Sequence, residues 1–75
     1  MRVRMIIITK RGEEMLLTSV ILTKRQQCIL QLATHSITIN NLFQEVRKQR
    51  NAAITDRVLA NDVVELELAG YVRVS

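Results

Sequence analysis

The chain has no proline, no tryptophan, a single cysteine and only two glycines among its 75 residues. Each scarcity excludes something. Cys28 alone cannot close an internal disulfide, and Cys28 with His35 is too few soft donors for a structural zinc site. No metal and no cofactor are therefore expected. Gly12 and Gly70 lie 58 positions apart, so no glycine-rich loop is present to cradle a phosphate. No strictly apolar run exceeds four residues, whereas a membrane-spanning helix needs about 20. Arg2 and Arg4 are followed too soon by Lys10, Arg11, Glu13 and Glu14 for a secretory signal. A cytoplasmic protein is expected, and the lone thiol fits a reducing compartment.

The inventory is equally thin for catalysis. There is one histidine, one cysteine and one tyrosine. Glu65 and Glu67 are two apart, a spacing that points them in different directions on a helix, and Glu13 and Glu14 flank a turn. A general acid or base needs a matched partner in a cleft, and no such pair stands out. A non-catalytic protein is expected.

What the chain does have is the balance of a folded domain. Hydrophobic residues are 48% and charged residues 24%, which excludes a disordered chain. At 8.6 kDa it forms one domain with a thin core, for which oligomerisation is the remaining aid to stability. The net charge is +4 with a pI near 10.0, and it is unevenly spread. Residues 1–58 hold ten bases and four acids, whereas residues 59–75 hold one base and three acids. Grouped basic charge is the footprint of a polyphosphate partner, although basicity for solubility accounts for it equally well.

Residues 2–9 alternate and are rich in β-branched side chains, as in a strand. Lys10, Arg11, Gly12 and Glu13 suit a turn, with Gly12 free to take positive φ. Residues 14–22 then return as a second strand or form a short helix; Thr18, Ser19, Val20 and Ile21 favour the strand, giving an N-terminal β-hairpin. Thr23 and Gln26 have capping-box spacing, and Cys28, Ile29, Leu32 and Ala33 recur at helical spacing up to His35 and Ser36. Residues 37–39 are extended. Thr38 caps a second helix whose Ile39, Leu42, Phe43 and Val46 share a face. A third helix runs from Asn51 or Ala52 to Ala69, buries Leu59, Val63 and Leu66, and ends at Gly70 as its C′ residue. Residues 71–75 alternate as a strand, which the N-terminal segment could pair.

Helix, short strand, helix, basic turn, helix, strand is the order of a winged helix-turn-helix. From Leu22 onward the sequence resembles that superfamily of bacterial DNA-associated proteins. The opening residues 22–30, Leu-Thr-Lys-Arg-Gln-Gln-Cys-Ile-Leu, are similar to the first helix of the SOS-repressor type of DNA-binding domain. Residues 37–42, Ile-Thr-Ile-Asn-Asn-Leu, and 64–72, Val-Glu-Leu-Glu-Leu-Ala-Gly-Tyr-Val, more closely resemble the winged-helix domain of DNA-processing protein A. The N-terminal residues 1–21, the lack of a second wing strand and the length of the third helix depart from that pattern. The fold expected is α+β: a three-helix winged helix-turn-helix core and wing strand over 22–75, with an N-terminal hairpin and dimerisation segment over 1–21.

Such a fold places its recognition helix against base edges and flanking bases against phosphates. The DNA-binding set is then Arg47, Lys48, Arg50 and Asn51 in the basic turn, with Thr55, Arg57 and Asn61 on the early third helix. Arginine pairs bidentately with guanine and asparagine with adenine; the alternative is a solvated helix face, with Arg57 paired to Asp56 or Asn61. Arg2, Arg4, Lys10 and Arg11 form either a second phosphate-facing arm or a charged guard on an edge strand. Lys24 and Arg25 read as a solvated first turn, Cys28 and Phe43 as core, and Tyr71 as packing at the wing base. The apolar N-terminal segment exceeds what one core can cover, so a homodimer through it is expected. The sequence thus reads as a small dimeric double-stranded DNA-binding protein, a regulator of transcription or of another DNA transaction. The alternative is a winged-helix module that docks a protein of a larger DNA-processing assembly.

Overall fold

The computed structural model describes residues 3–18 and 21–75; Arg2, Ser19 and Val20 lie outside them. Its elements are β1 (Met5–Ile8), α1 (Lys10–Thr18), α2 (Lys24–Ala33), β2 (Ile37–Thr38), α3 (Ile39–Gln49), α4 (Asp56–Leu68) and β3 (Val72–Val74). The class is α+β, with four helices and a three-stranded antiparallel sheet in the order β2-β1-β3.

β1 is thus the central strand. Ile6 pairs with Ile37 on one side and Val74 on the other, and Ile8 pairs with Val72. The period of two sends Ile6, Ile8 and Val72 into the core and leaves Ile7 outward, opposite Arg73. Ile29, Leu30, Ala33, Leu42, Val46, Leu59, Val63 and Leu66 complete one apolar cluster beneath the sheet. Phe43, expected in that core, packs against it only partly buried.

The N-terminal hairpin is not formed. Residues 10–18 are helical, and β1 instead pairs with strands distant in sequence. The local cause is Thr9, whose Oγ1 accepts the Gly12 amide at 3.1 Å while its carbonyl accepts that of Glu13 at 2.9 Å. This is helix-cap bonding, and the Glu, Met and Leu that follow are strong helix formers. Gly12 also differs from expectation: among the described residues the glycine at positive φ is Gly70, at 82°. Gly12 lies inside α1, where an added Cβ would stand 2.1 Å from the Tyr71 carbonyl oxygen and 2.7 Å from Ile8 Cγ1. Close approach of backbones, not a turn, requires glycine there. Thr9 fixes the same junction, donating its hydroxyl to the Gly70 carbonyl at 2.6 Å.

The capping predictions hold. Thr23 and Gln26 form the reciprocal box at the start of α2, and Thr38 accepts the Asn41 amide to start α3. The last helix begins later than expected, at Asp56. Asn51 Oδ1 takes the Ala53 amide at 2.8 Å, and this side-chain turn competes with helix until Thr55, in extended conformation, provides the cap. Gly70 ends α4 in left-handed conformation, with the Tyr71 amide bonded to the Leu66 carbonyl.

Candidate nucleic-acid interface

The basic turn and the start of α4 are held together by Arg47. Its Nε donates to the Ile54 carbonyl at 2.8 Å, and its Nη2 forms an ion pair with Asp56. Arg47 is half-buried, so it acts as the brace between the end of α3 and the first turn of α4. Asn51 is likewise engaged in shaping the turn, and the Thr55 hydroxyl accepts the Val58 amide at 3.3 Å. Three of the expected contact residues therefore position the helix.

Lys48, Arg50, Arg57 and Asn61 are exposed. Among the described residues the ion pairs are Arg47–Asp56 and Arg25–Asp62, so Lys48, Arg50 and Arg57 are in neither. The competing pairing of Arg57 with Asp56 is not among the ion pairs of the described residues; Asp56 pairs with Arg47. Arg57 and Asn61, one helical turn apart, line a shallow depression with Val58, Ala60 and Val64. This face opposes the buried phase of Leu59, Val63 and Leu66. It carries two side chains suited to bidentate hydrogen bonding, on a helix whose amino end is fixed by a cap and a brace.

Sequence reasoning missed three features. Asp62 is only 3% exposed, and Arg25 meets it with Nε on Oδ2 and with Nη2 on Oδ1 at 3.2 Å. Arg25 is therefore not a solvated first-turn residue. The hydrogen bond to Asp62 holds its guanidinium above the ordinary arginine range, against the opposing effect of partial burial. The signal was in the spacing, since Asp62 is three after Leu59 and four before Leu66, within the buried phase. The second feature is apolar: Val64 is 50% and Leu68 83% exposed, both in line with Arg57 and Asn61. The third is a polar crevice between α2 and α3, lined by Lys24, Gln27, Cys28, Gln31, Gln49 and Arg50. Its parts come from two helices and share no spacing motif.

Elsewhere, Arg11 lies over the Tyr71 ring with its guanidinium carbon 5.9 Å from the centroid. Arg4 borders an apolar groove with Ile39, Phe43, Val63 and Val74. Among the described residues no group of three His, Cys, Asp or Glu side chains is placed to hold a metal ion, and no helix is long and apolar enough to cross a membrane. No protein-family profile, curated protein or solved structure matches the chain.

Proposed function

We propose that this is a winged-helix protein that binds double-stranded DNA without catalysis, with α4 as its recognition helix. The observation that carries the reading is the placing of Arg57 and Asn61 on the solvent face of α4, behind a corner where Lys48, in the last turn of α3, and Arg50, at its C-cap, belong to neither ion pair of the described residues. The order α2, β2, α3, α4, β3 supports the fold assignment. β1 supplies the strand that a returning wing would otherwise contribute, paired to both β2 and β3. In this reading Lys48 and Arg50 hold phosphates, and Arg57 and Asn61 read base edges.

The test is anisotropy titration against a random pool of duplexes and against the tightest-binding sequence selected from it. Arg57→Ala and Asn61→Ala should each cost about 1–3 kcal/mol on the selected sequence and much less on the pool. Lys48→Gln should weaken both alike. Equal losses on both targets for all variants would remove base reading by α4.

The protein acts as a homodimer in this proposal, a regulator of transcription or of another DNA transaction. The support is the apolar surface left over at the N-terminal side: Val3, Ile7, Leu17 and Ile21 are all exposed. β1 is the central strand, paired with β2 and β3, so in this proposal association uses the exposed side chains and not exchange of β1. Sedimentation at micromolar concentration should give twice the 8.6 kDa chain mass; a folded, soluble monomer would end the dimer proposal.

A second reading rests on a specific observation. Exposed Val58, Val64 and Leu68 on α4, beside the groove of Ile39, Phe43 and Val74, suit a protein partner better than phosphates. Leu68→Ala, which changes no charge, would leave duplex binding intact under the first reading and weaken partner binding under the second.

A further inference from the structure

We propose that the crevice between α2 and α3 is a phosphate-binding site, in which Lys24 and Arg50 flank the anion and glutamine amides complete its coordination. The proposal goes beyond DNA reading by α4 and uses different residues, apart from Arg50.

The crevice has a volume of about 360 Å³, and its walls are Lys24, Gln27, Cys28, Gln31, Gln49 and Arg50. It therefore has two cations and no acid among its lining residues. Lys24 and Arg50 belong to neither ion pair of the described residues, although acids are available elsewhere on the surface. Two exposed cations on the rim of one recess, Lys24 from α2 and Arg50 at the C-cap of α3, make it positive and favour an anion between them.

The other lining groups are donors as well. Cys28 Sγ donates to Gln49 Oε1 at 3.4 Å, which occupies the acceptor of that amide and leaves its Nε2 hydrogens free. Gln27 Nε2 spends one hydrogen on the Leu22 carbonyl at 3.2 Å, and a second remains. Gln31 has no side-chain hydrogen bond among the described residues. Burial pushes the Cys28 thiol up, with the Arg50 charge acting against that and Glu45 with it. The thiol consequently stays neutral near pH 7 and adds no negative charge to the recess. A recess with free amide donors and a positive rim fits a phosphate oxyanion, whose oxygens take several charge-assisted bonds at once.

The phosphate can belong to a nucleic-acid backbone or to a free phosphate monoester. The experiment is an ¹⁵N–¹H correlation titration of the full chain with inorganic phosphate, against chloride at matched ionic strength. The side-chain amides of Gln27, Gln31 and Gln49 should shift saturably with phosphate and not with chloride. Lys24→Gln and Arg50→Gln should each weaken that binding about tenfold, while Lys10→Gln on α1 should leave it unchanged. Both crevice substitutions are at exposed positions, and a thermal melt of each verifies the fold. Shifts that do not saturate, or affinity unchanged in both crevice variants, would overturn the site. A short duplex is then added to the phosphate-loaded protein. Displacement of phosphate sustains the site as one for the nucleic-acid backbone, and unchanged shifts sustain it for a free monoester. Failure of this site is distinguishable from failure of base reading, because Arg57→Ala reports only on the latter.

Discussion

Arg25 and Asp62 join α2 to α4 through a two-point contact, with Arg25 Nη2 3.2 Å from Asp62 Oδ1 and Arg25 Nε on Oδ2. Gln26 extends the link, donating to Glu65 Oε2 at 3.2 Å. The contact fixes the middle of α4 against the first turn of α2, as Arg47 fixes its amino end, so the face bearing Arg57 and Asn61 is held from two sides. Arg25→Met should leave the Asp62 carboxylate buried without its partner. Loss of a buried pair's partner costs about 3–5 kcal/mol. The Arg25 side chain is 36% exposed, and water access lowers the expected cost to about 1–3 kcal/mol. Urea denaturation measures it. Arg25→Met combined with Asp62→Leu should recover much of the loss; a single variant as stable as the parent would show the contact to be incidental.

Gly12→Ala should destabilise the protein although alanine is the better helix former. Its Cβ would collide with the Tyr71 carbonyl, and relief requires α1 to move from β3. The expected loss is about 1–3 kcal/mol, against a gain of up to about 1 kcal/mol from helix propensity. A raised melting temperature would mean that α1 is not packed on this junction.

Leu59→Ala and Phe43→Ala separate two grades of burial. Leu59 is wholly buried, so its truncation should cost about 2–5 kcal/mol. Phe43, partly exposed at the groove, should cost distinctly less. Equal losses would place Phe43 in the core after all.

Cys28 gives a pH dependence of stability. Its folded-state pKa is raised from the model-peptide value of 9.0, chiefly by burial, so the folded chain holds the thiol proton more tightly than the unfolded chain does. The associated stability is fully present below pH 9.0 and is lost as pH rises through the folded-state value. Stability curves should therefore fall in alkaline solution, with a shallower fall in Cys28→Ala. Iodoacetamide should label native Cys28 more slowly than the urea-unfolded chain at pH 8. Equal labelling rates would contradict the burial.

Local chemistry made much of this fold legible. Thr23, Gln26 and Thr38 announce two helix starts, the phases of Leu42, Val46, Leu59 and Val63 give the buried faces, and Gly70 marks the end of α4. Residues 14–22 are ambiguous because the β-branched Thr18, Val20 and Ile21 speak for a strand while Glu14, Met15 and Leu16 speak for a helix. The decision came from Thr9, whose capping bonds span the boundary. The place of β1 between β2 and β3 depends on contacts far apart in sequence, which a local reading does not contain. At the candidate site, Arg57 and Asn61 were legible as exposed polar groups on the expected helix, whereas Arg47 and Lys48, expected in the turn, lie in the last turn of α3 because the helix continues to Gln49. The bracing role of Arg47 was not legible, because it depends on the shape of the turn that Asn51 makes.

The salt dependence of duplex binding tests DNA recognition most directly. For the parent protein, log K should fall linearly with log salt, and Lys48→Gln should reduce the slope by about one unit. No duplex binding at low salt, or binding with a slope near zero, would contradict the account and leave α4 as a protein-docking surface.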